Sequence, residues 1–162
     1  MNPLRKMYCR TFQTAFKIAL PFLPYRKPEV IGSVKAIPDI MKKKRRTSVL
    51  IITDKGIRNL GLTKRLEKAL SDSQIPFTVY DGTVANPTTI NVAEALDLYL
   101  ENRCDAIIGF GGGSSMDCAK AVGARAAKPN QPLSKMKGIL KVHKKLPLLF
   151  AIPTTAGTGS ET

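Results

Sequence analysis

A chain of 162 residues suits one domain built around one core. With 43% apolar and 23% charged residues, disorder of the bulk is excluded. Lys and Arg number 26 against 12 Asp and Glu, and the resulting charge of +14 draws polyanions such as nucleotide phosphates, nucleic acid or anionic lipid.

Leu4, Tyr8, Phe12, Phe16 and Leu20 recur at helical spacing, which predicts an amphipathic helix over residues 4–20. Arg5, Lys6, Arg10 and Lys17 interrupt any apolar stretch long enough to span a bilayer. Pro21 and Pro24 break the apolar region that a signal peptide requires, and no small-residue cleavage site follows. Two readings stand for this basic helix: lying on a membrane surface, or packing on a neighbouring domain or subunit. Packing is favoured. Residues 1–28 are read as a basic N-terminal extension, and residues 29–162 as the domain proper.

Lys42-Lys43-Lys44-Arg45-Arg46 forms one cationic run; Lys135, Lys137, Lys141, Lys144 and Lys145 form a looser second set. Neither is interleaved with aromatics as a single-strand stacking platform would be. Both read as the solvated faces of a helix end and a loop. No specific nucleic-acid partner is expected, and membrane association is not favoured.

Val49-Leu50-Ile51-Ile52 is a short run rich in β-branched residues with no polar interruption, the pattern of a strand buried on both faces. Leu62, Leu66, Ala69 and Leu70 follow at helical spacing. Phe77–Tyr80 is the next strand, entered after Pro76, and Val92, Ala95, Leu96 and Tyr99 make the next helical face. Ala106–Phe110 is a third strand, followed by a helix through Ala119, Ala121, Val122 and Ala126. A basic loop with Pro129 and Pro132 leads to a fourth strand, Leu148–Ile152. Strands alternating with helices imply an α/β fold with a parallel sheet covered on both faces. The chain reaches Thr162 inside a glycine-rich loop directly after a strand, and so reads as truncated at its C-terminal end.

Cys9, Cys104 and Cys118 are few and unpatterned, which fits a reducing cytoplasm better than a disulfide framework. His143 is the only histidine, so no His-rich metal site can be assembled within this chain.

Ligands of open parallel sheets bind at the carboxyl ends of the strands. Three polar, glycine-bearing segments fall there: Thr53-Asp54-Lys55-Gly56, Gly111 to Asp117, and Pro153 to Glu161. The triplet Gly111-Gly112-Gly113 lets backbone approach a phosphate closely. Ser114 or Ser115 is expected to cap the helix that follows, whose N–H groups and dipole favour an anion. A pyrophosphate fits there; a plain tight turn is the alternative. G-x-G-x-x-G is absent after the first strand, and no Gly-Lys-Ser/Thr makes a Walker loop. Asp54 is placed either to accept hydrogen bonds from an adenosine ribose or simply to form a turn. In the first role its charge would repel a 2′-phosphate, favouring NAD over NADP. Thr154, Thr155 and Thr158 bring hydroxyls to the same crevice. Cys118, in the first turn of the phosphate-binding helix, is read mainly as core, with a lowered thiol pKa as the alternative.

Gly111-Gly112-Gly113-Ser114 with Asp117, and Ile152 through Glu161, closely resemble the two signature stretches of the iron-containing (group III) alcohol dehydrogenase family. Thr53–Gly56, Tyr80-Asp81-Gly82, Asn86-Pro87-Thr88 and Cys118–Ala121 match it as well, in the family's order and spacing from about Val30 onward. The resemblance implies a dehydroquinate-synthase-like fold, in which an N-terminal α/β domain binds NAD(P) and a C-terminal helical domain binds Fe²⁺ or Zn²⁺. The metal polarises the alcohol oxygen during hydride transfer. Carried over, Asp54 would meet the adenosine ribose and Asn86 would lie near the cofactor. Gly112, Gly113, Ser114 and Ser115 would hold the pyrophosphate, with Gly111 in the same turn and Asp117 orienting it. Thr154, Thr155 and Thr158 would complete the site. Ser115 stands where many relatives have Pro, and Thr162 where Val is usual.

The family's metal ligands, an Asp and three His, lie downstream of the second signature and have no counterpart here. The resemblance therefore implies NAD, with NADP as the alternative, a small alcohol or aldehyde as substrate of the full-length protein, and compatibility with a homodimer. Fe²⁺ or Zn²⁺ belongs only to a full-length form. The chain alone is expected to be inactive. A glycerol dehydrogenase-like or dehydroquinate-synthase-like enzyme is the nearer alternative, but the Thr-Thr-Ala-Gly-Thr-Gly-Ser-Glu loop favours the alcohol dehydrogenase branch. A non-catalytic basic module on membrane or nucleic acid is the more distant one.

Overall fold

The computed structural model describes residues 10, 11, 14, 28–136, 142 and 144–160. The predicted leading helix, Lys137, Lys141, His143 and Glu161 therefore fall outside the described residues, apart from Arg10, Thr11 and Thr14, which are helical. The chain falls into two units, Met1–Val30 and Ile31–Thr162. Among the described residues no helix is long and apolar enough to cross a membrane.

The second unit is built on four parallel strands: β1 (Val49–Ile52), β2 (Phe77–Tyr80), β3 (Ala106–Gly111) and β4 (Leu148–Pro153), in the order β2-β1-β3-β4. Among the described residues five α-helices accompany them: α1 (Ile37–Lys43), α2 (Lys55–Asn59), α3 (Lys64–Asp72), α4 (Thr89–Glu101) and α5 (Gly113–Ala127). The inner strands β1 and β3 are buried at every position, because helices cover both faces.

Strand side chains alternate between faces, and two clusters result. Leu50, Ile52 and Ile107 face Val92, Ala95, Leu96 and Tyr99 of α4 and Cys118, Ala119 and Val122 of α5. Val49, Ile51, Ile108 and Phe110 face Ile37 and Met41 of α1 and Leu66 and Leu70 of α3. Each fully buried aliphatic side chain contributes about 1.5–3 kcal/mol of burial free energy, so the two clusters carry the fold. The registers Val49↔Phe77, Val49↔Ala106 and Ala106↔Leu148 start all four strands at one level. Their carboxyl ends therefore share an edge.

All four predicted strands are present, with β3 and β4 each running one residue further. Two helices escape the periodicity argument. The seven residues of α1, which carries a proline in its first turn, and the five of α2 are too short to show a stripe. The third helix begins at Lys64 rather than Leu62, which is exposed outside it. Buried Thr63 takes the N-cap position, and its hydroxyl accepts from Arg58, which also pairs with Glu67. Lys42 and Lys43 close α1, and Lys44 to Arg46 lead into β1; Lys42 to Arg45 are exposed as a solvated helix end, whereas Arg46 is half-buried.

Candidate cofactor-binding site

From β1 the chain runs outward to β2 and then returns across β1 to β3 and β4. The crevice of such a sheet opens where connections leave in opposite directions, here between β1 and β3. Asp54 ends one of these strands and the glycine triplet the other.

Gly111 has φ +142°, a conformation that a side chain strongly disfavours, and a Cβ there would meet Ser115 Oγ at 2.7 Å. Gly112 is the N-cap of α5, with ordinary φ −80°, and no side chain caps the helix. This corrects the expectation that Ser114 or Ser115 would do so: both lie inside the first turn and are engaged by neighbouring loops. Ser114 Oγ accepts from the Asn86 N–H at 3.3 Å. Ser115, 1% exposed, directs its hydroxyl to Asp54 Oδ2 at 3.5 Å. The leading N–H groups of a 15-residue helix are thus left for an external acceptor.

The segment after β4 lies against this turn. The Thr154 N–H donates to Gly111 O at 2.8 Å, prolonging the β3–β4 ladder beyond the strands. A Cβ on Gly112 would come 3.2 Å from Thr155 Oγ1, and one on Gly113 would come 3.1 Å from Ser160 Oγ and 3.3 Å from Thr158 Cβ. A side chain at either glycine would press on the side chains of this exposed loop. Thr154, Thr155 and Thr158 are exposed on this loop. Asn86 is exposed as well, in a left-handed turn with φ 57°.

Asp54 turns out to have a structural task. Its Oδ1 accepts from the Ile57 N–H at 3.0 Å and caps α2. Only Oδ2 remains toward the crevice, beside Ser115 and Gly111. Asp117, expected to orient the glycine turn, is exposed.

The residues that hold the β2–α4 loop were missed at the sequence level. Tyr80 Oη donates to Glu94 Oε2 at 2.6 Å and accepts from Asn91 Nδ2 at 3.1 Å. Burial, with Glu94 beside it, pushes the Tyr80 phenol up to about 12. A capping box between Thr88 and Asn91 starts α4. That Thr-x-x-Asn spacing was the available signal.

Cys118 is fully buried, and desolvation pushes its thiol up to about 11. This corrects the alternative of a lowered pKa: the helix N-terminus acts on the crevice, whereas Cys118 faces the core. Cys104 and Cys118 are both free and buried. A neutral thiol reagent at pH 8 is therefore expected to leave them unlabelled in the folded chain and to label them after denaturation. Rapid native labelling of Cys118 would contradict its placement.

Among the described residues no three His, Cys, Asp or Glu side chains gather into a metal-binding group. The whole sequence contains one histidine. A donor set of one Asp and three His cannot be drawn from it.

The family profile of the iron-containing alcohol dehydrogenases matches residues 30–162. The NAD-dependent methanol dehydrogenase of Bacillus methanolicus is 34% identical over 131 residues, covering 81% of this chain and 34% of that protein. The solved alcohol dehydrogenase from Oenococcus oeni superposes with a TM-score of 0.74 at 35% identity, covering 79% of this chain and 34% of that one. The sulfoacetaldehyde reductase of Bifidobacterium kashiwanohense, solved in complex with NAD+, superposes at 0.66 with 28% identity, covering 82% and 35%. The chain thus spans about a third of the length of the relatives it matches. On its matched residues and its fold, it belongs to the iron-containing alcohol dehydrogenase family.

Proposed function

We propose that this chain supplies the cofactor-binding part of an NAD-dependent dehydrogenase interconverting a small alcohol and its aldehyde. The carrying observation is the uncapped start of α5, with the threonine and serine side chains of the Thr154–Ser160 loop facing it. A dinucleotide bound there supplies the hydride acceptor. The N–H groups of Gly113 and Ser114 would donate hydrogen bonds to its pyrophosphate oxygens, and the Thr154, Thr155 and Thr158 hydroxyls would add to them from the facing loop. Asp54 Oδ2 faces the ribose. The NAD-dependent methanol dehydrogenase of Bacillus methanolicus and the NAD+ complex of the sulfoacetaldehyde reductase support both the cofactor and the substrate class. Residues 1–28 are proposed as an extension to this domain, and the free, buried thiols support a cytoplasmic setting.

Titration calorimetry of the chain with NADH tests the binding. Saturable binding is expected, and its absence would refute the reading. With Fe²⁺ or Zn²⁺, NAD and a panel of short alcohols, no NADH absorbance should develop, because one histidine cannot build the family's metal site. Metal-dependent turnover abolished by a chelator would overturn that expectation.

Cofactor choice follows from Asp54, whose crevice-side oxygen, Oδ2, opposes a 2′-phosphate. NADH should bind better than NADPH, and Asp54→Gly should narrow the gap. Glycine is a tolerable N-cap, so the variant is expected to lose only about 0.3 kcal/mol of helix stability. Equal affinities for the two cofactors in the unmutated chain would remove this role from Asp54.

A further inference from the structure

Asn91 is 9% exposed and spends its whole amide on the loop that precedes its helix. Its Oδ1 accepts from the Thr88 N–H and the Thr88 hydroxyl, both at 3.1 Å. Its Nδ2 donates to Gly82 O and to Tyr80 Oη, also both at 3.1 Å. Tyr80 Oη gives its own proton to Glu94, which leaves it an acceptor toward Asn91.

A helix cap requires only the oxygen. An acid would serve at this third helical position at least as well, because the helix dipole favours negative charge there. The two amide hydrogens do something a cap does not need. They fasten Gly82, where the β2–α4 loop begins, to the same side chain that holds Thr88, where it ends. Gly82 is further paired with Asp54, and the Thr83 N–H donates to Thr53 O at 3.3 Å. Between the two anchors lies Asn86, whose N–H holds Ser114 Oγ in the first turn of α5.

We infer that Asn91 is a positioning residue of the cofactor site, setting Asn86 and through it the Ser114 hydroxyl. The inference rests on the assignment of the dinucleotide pyrophosphate to the Gly111–Ser115 turn. Beyond the Gly82 bridge to Asp54 and the Thr83 bond to Thr53, the stretch around Asn86, with φ 57°, has many alternatives of similar energy. Holding both of its ends with one buried amide removes them before the cofactor arrives.

The test uses Asn91→Asp, which retains the capping oxygen and discards both donors. Hydrogen exchange without ligand should show a faster Asn86 amide, with the β1 and β3 amides still protected. NADH should bind about 10-fold more weakly, the equivalent of one to two lost hydrogen bonds. Tyr80→Phe removes one acceptor, leaves the cap untouched and should weaken binding about 2- to 3-fold; it carries the test if Asn91→Asp fails to fold. Adding Asn91→Asp to Ser114→Ala should weaken binding little beyond Ser114→Ala alone, because both act on one contact.

Unchanged affinity in Asn91→Asp, unchanged exchange at Asn86, or additive effects with Ser114→Ala would each overturn the inference. If the unmutated chain does not bind NADH, the site assignment fails. The exchange result would still report separately whether Asn91 holds the loop.

Discussion

A folded Gly112→Val chain is expected to bind NADH at least about 100-fold more weakly, the equivalent of about 3 kcal/mol of charge-assisted hydrogen bonding. The reason is steric and local. Gly112 has φ −80° and ψ −174°, an extended conformation that valine adopts without strain. Its Cβ would point at the Thr155 hydroxyl 3.2 Å away, into the gap between the start of α5 and its roof. The branched methyls then occupy the space in which phosphate oxygens would meet the helix N–H groups. Stability should change by only about 1 kcal/mol, since the neighbour is an exposed loop that can yield. Thermal unfolding and calorimetry on one preparation check both halves, and a native-like Gly112→Val protein with unchanged affinity would sink the site. Gly111→Val is a different experiment. Its φ of +142° and the 2.7 Å approach to buried Ser115 threaten folding itself.

Gly109→Leu should lower stability and cofactor affinity together. Gly109 lies in β3 beneath α5, and a Cβ there would come 3.0 Å from Ala119 Cβ and 3.2 Å from Met116 Cα. The second neighbour is backbone and cannot rotate aside, so a larger side chain must lift the helix from the sheet. Overpacking of this kind costs about 1–3 kcal/mol, which should reduce Tm by about 5–10 °C for a domain of this size. Met116 is one turn from the start of α5, so the lift also displaces the N–H groups that face the crevice. Gly109→Ala should show a smaller version of both effects. A Gly109→Leu chain with native Tm and native NADH affinity would show that close helix–sheet contact is not what places the site.

The sequence by itself determined the strands, the family and the neighbourhood of the candidate site. Val49–Ile52, Ala106–Phe110 and Leu148–Ile152 are short apolar runs that no helical period explains; the first two are buried on both faces, and in the third only Phe150 is buried. The glycine triplet and the Thr154–Ser160 loop announced a close backbone approach, and the family signatures ran through both.

Only the tertiary structure decided which residue performs which task. Asp54 reads equally as a ribose acceptor or a turn-former, and the cap it gives α2, five residues long and without a stripe, uses one of its oxygens and leaves Oδ2 on the crevice side. Ser114 and Ser115 read as caps until Asn86 and Asp54 are brought to them from 28 and 61 residues away. Asn91 and Tyr80 read as ordinary helix and strand positions, yet they meet because α4 packs its buried face on the strand that precedes it. Local propensity acts over a few neighbouring residues, whereas a hydrogen bond between distant loops exists only once burial of the core has set the register of the strands that carry them.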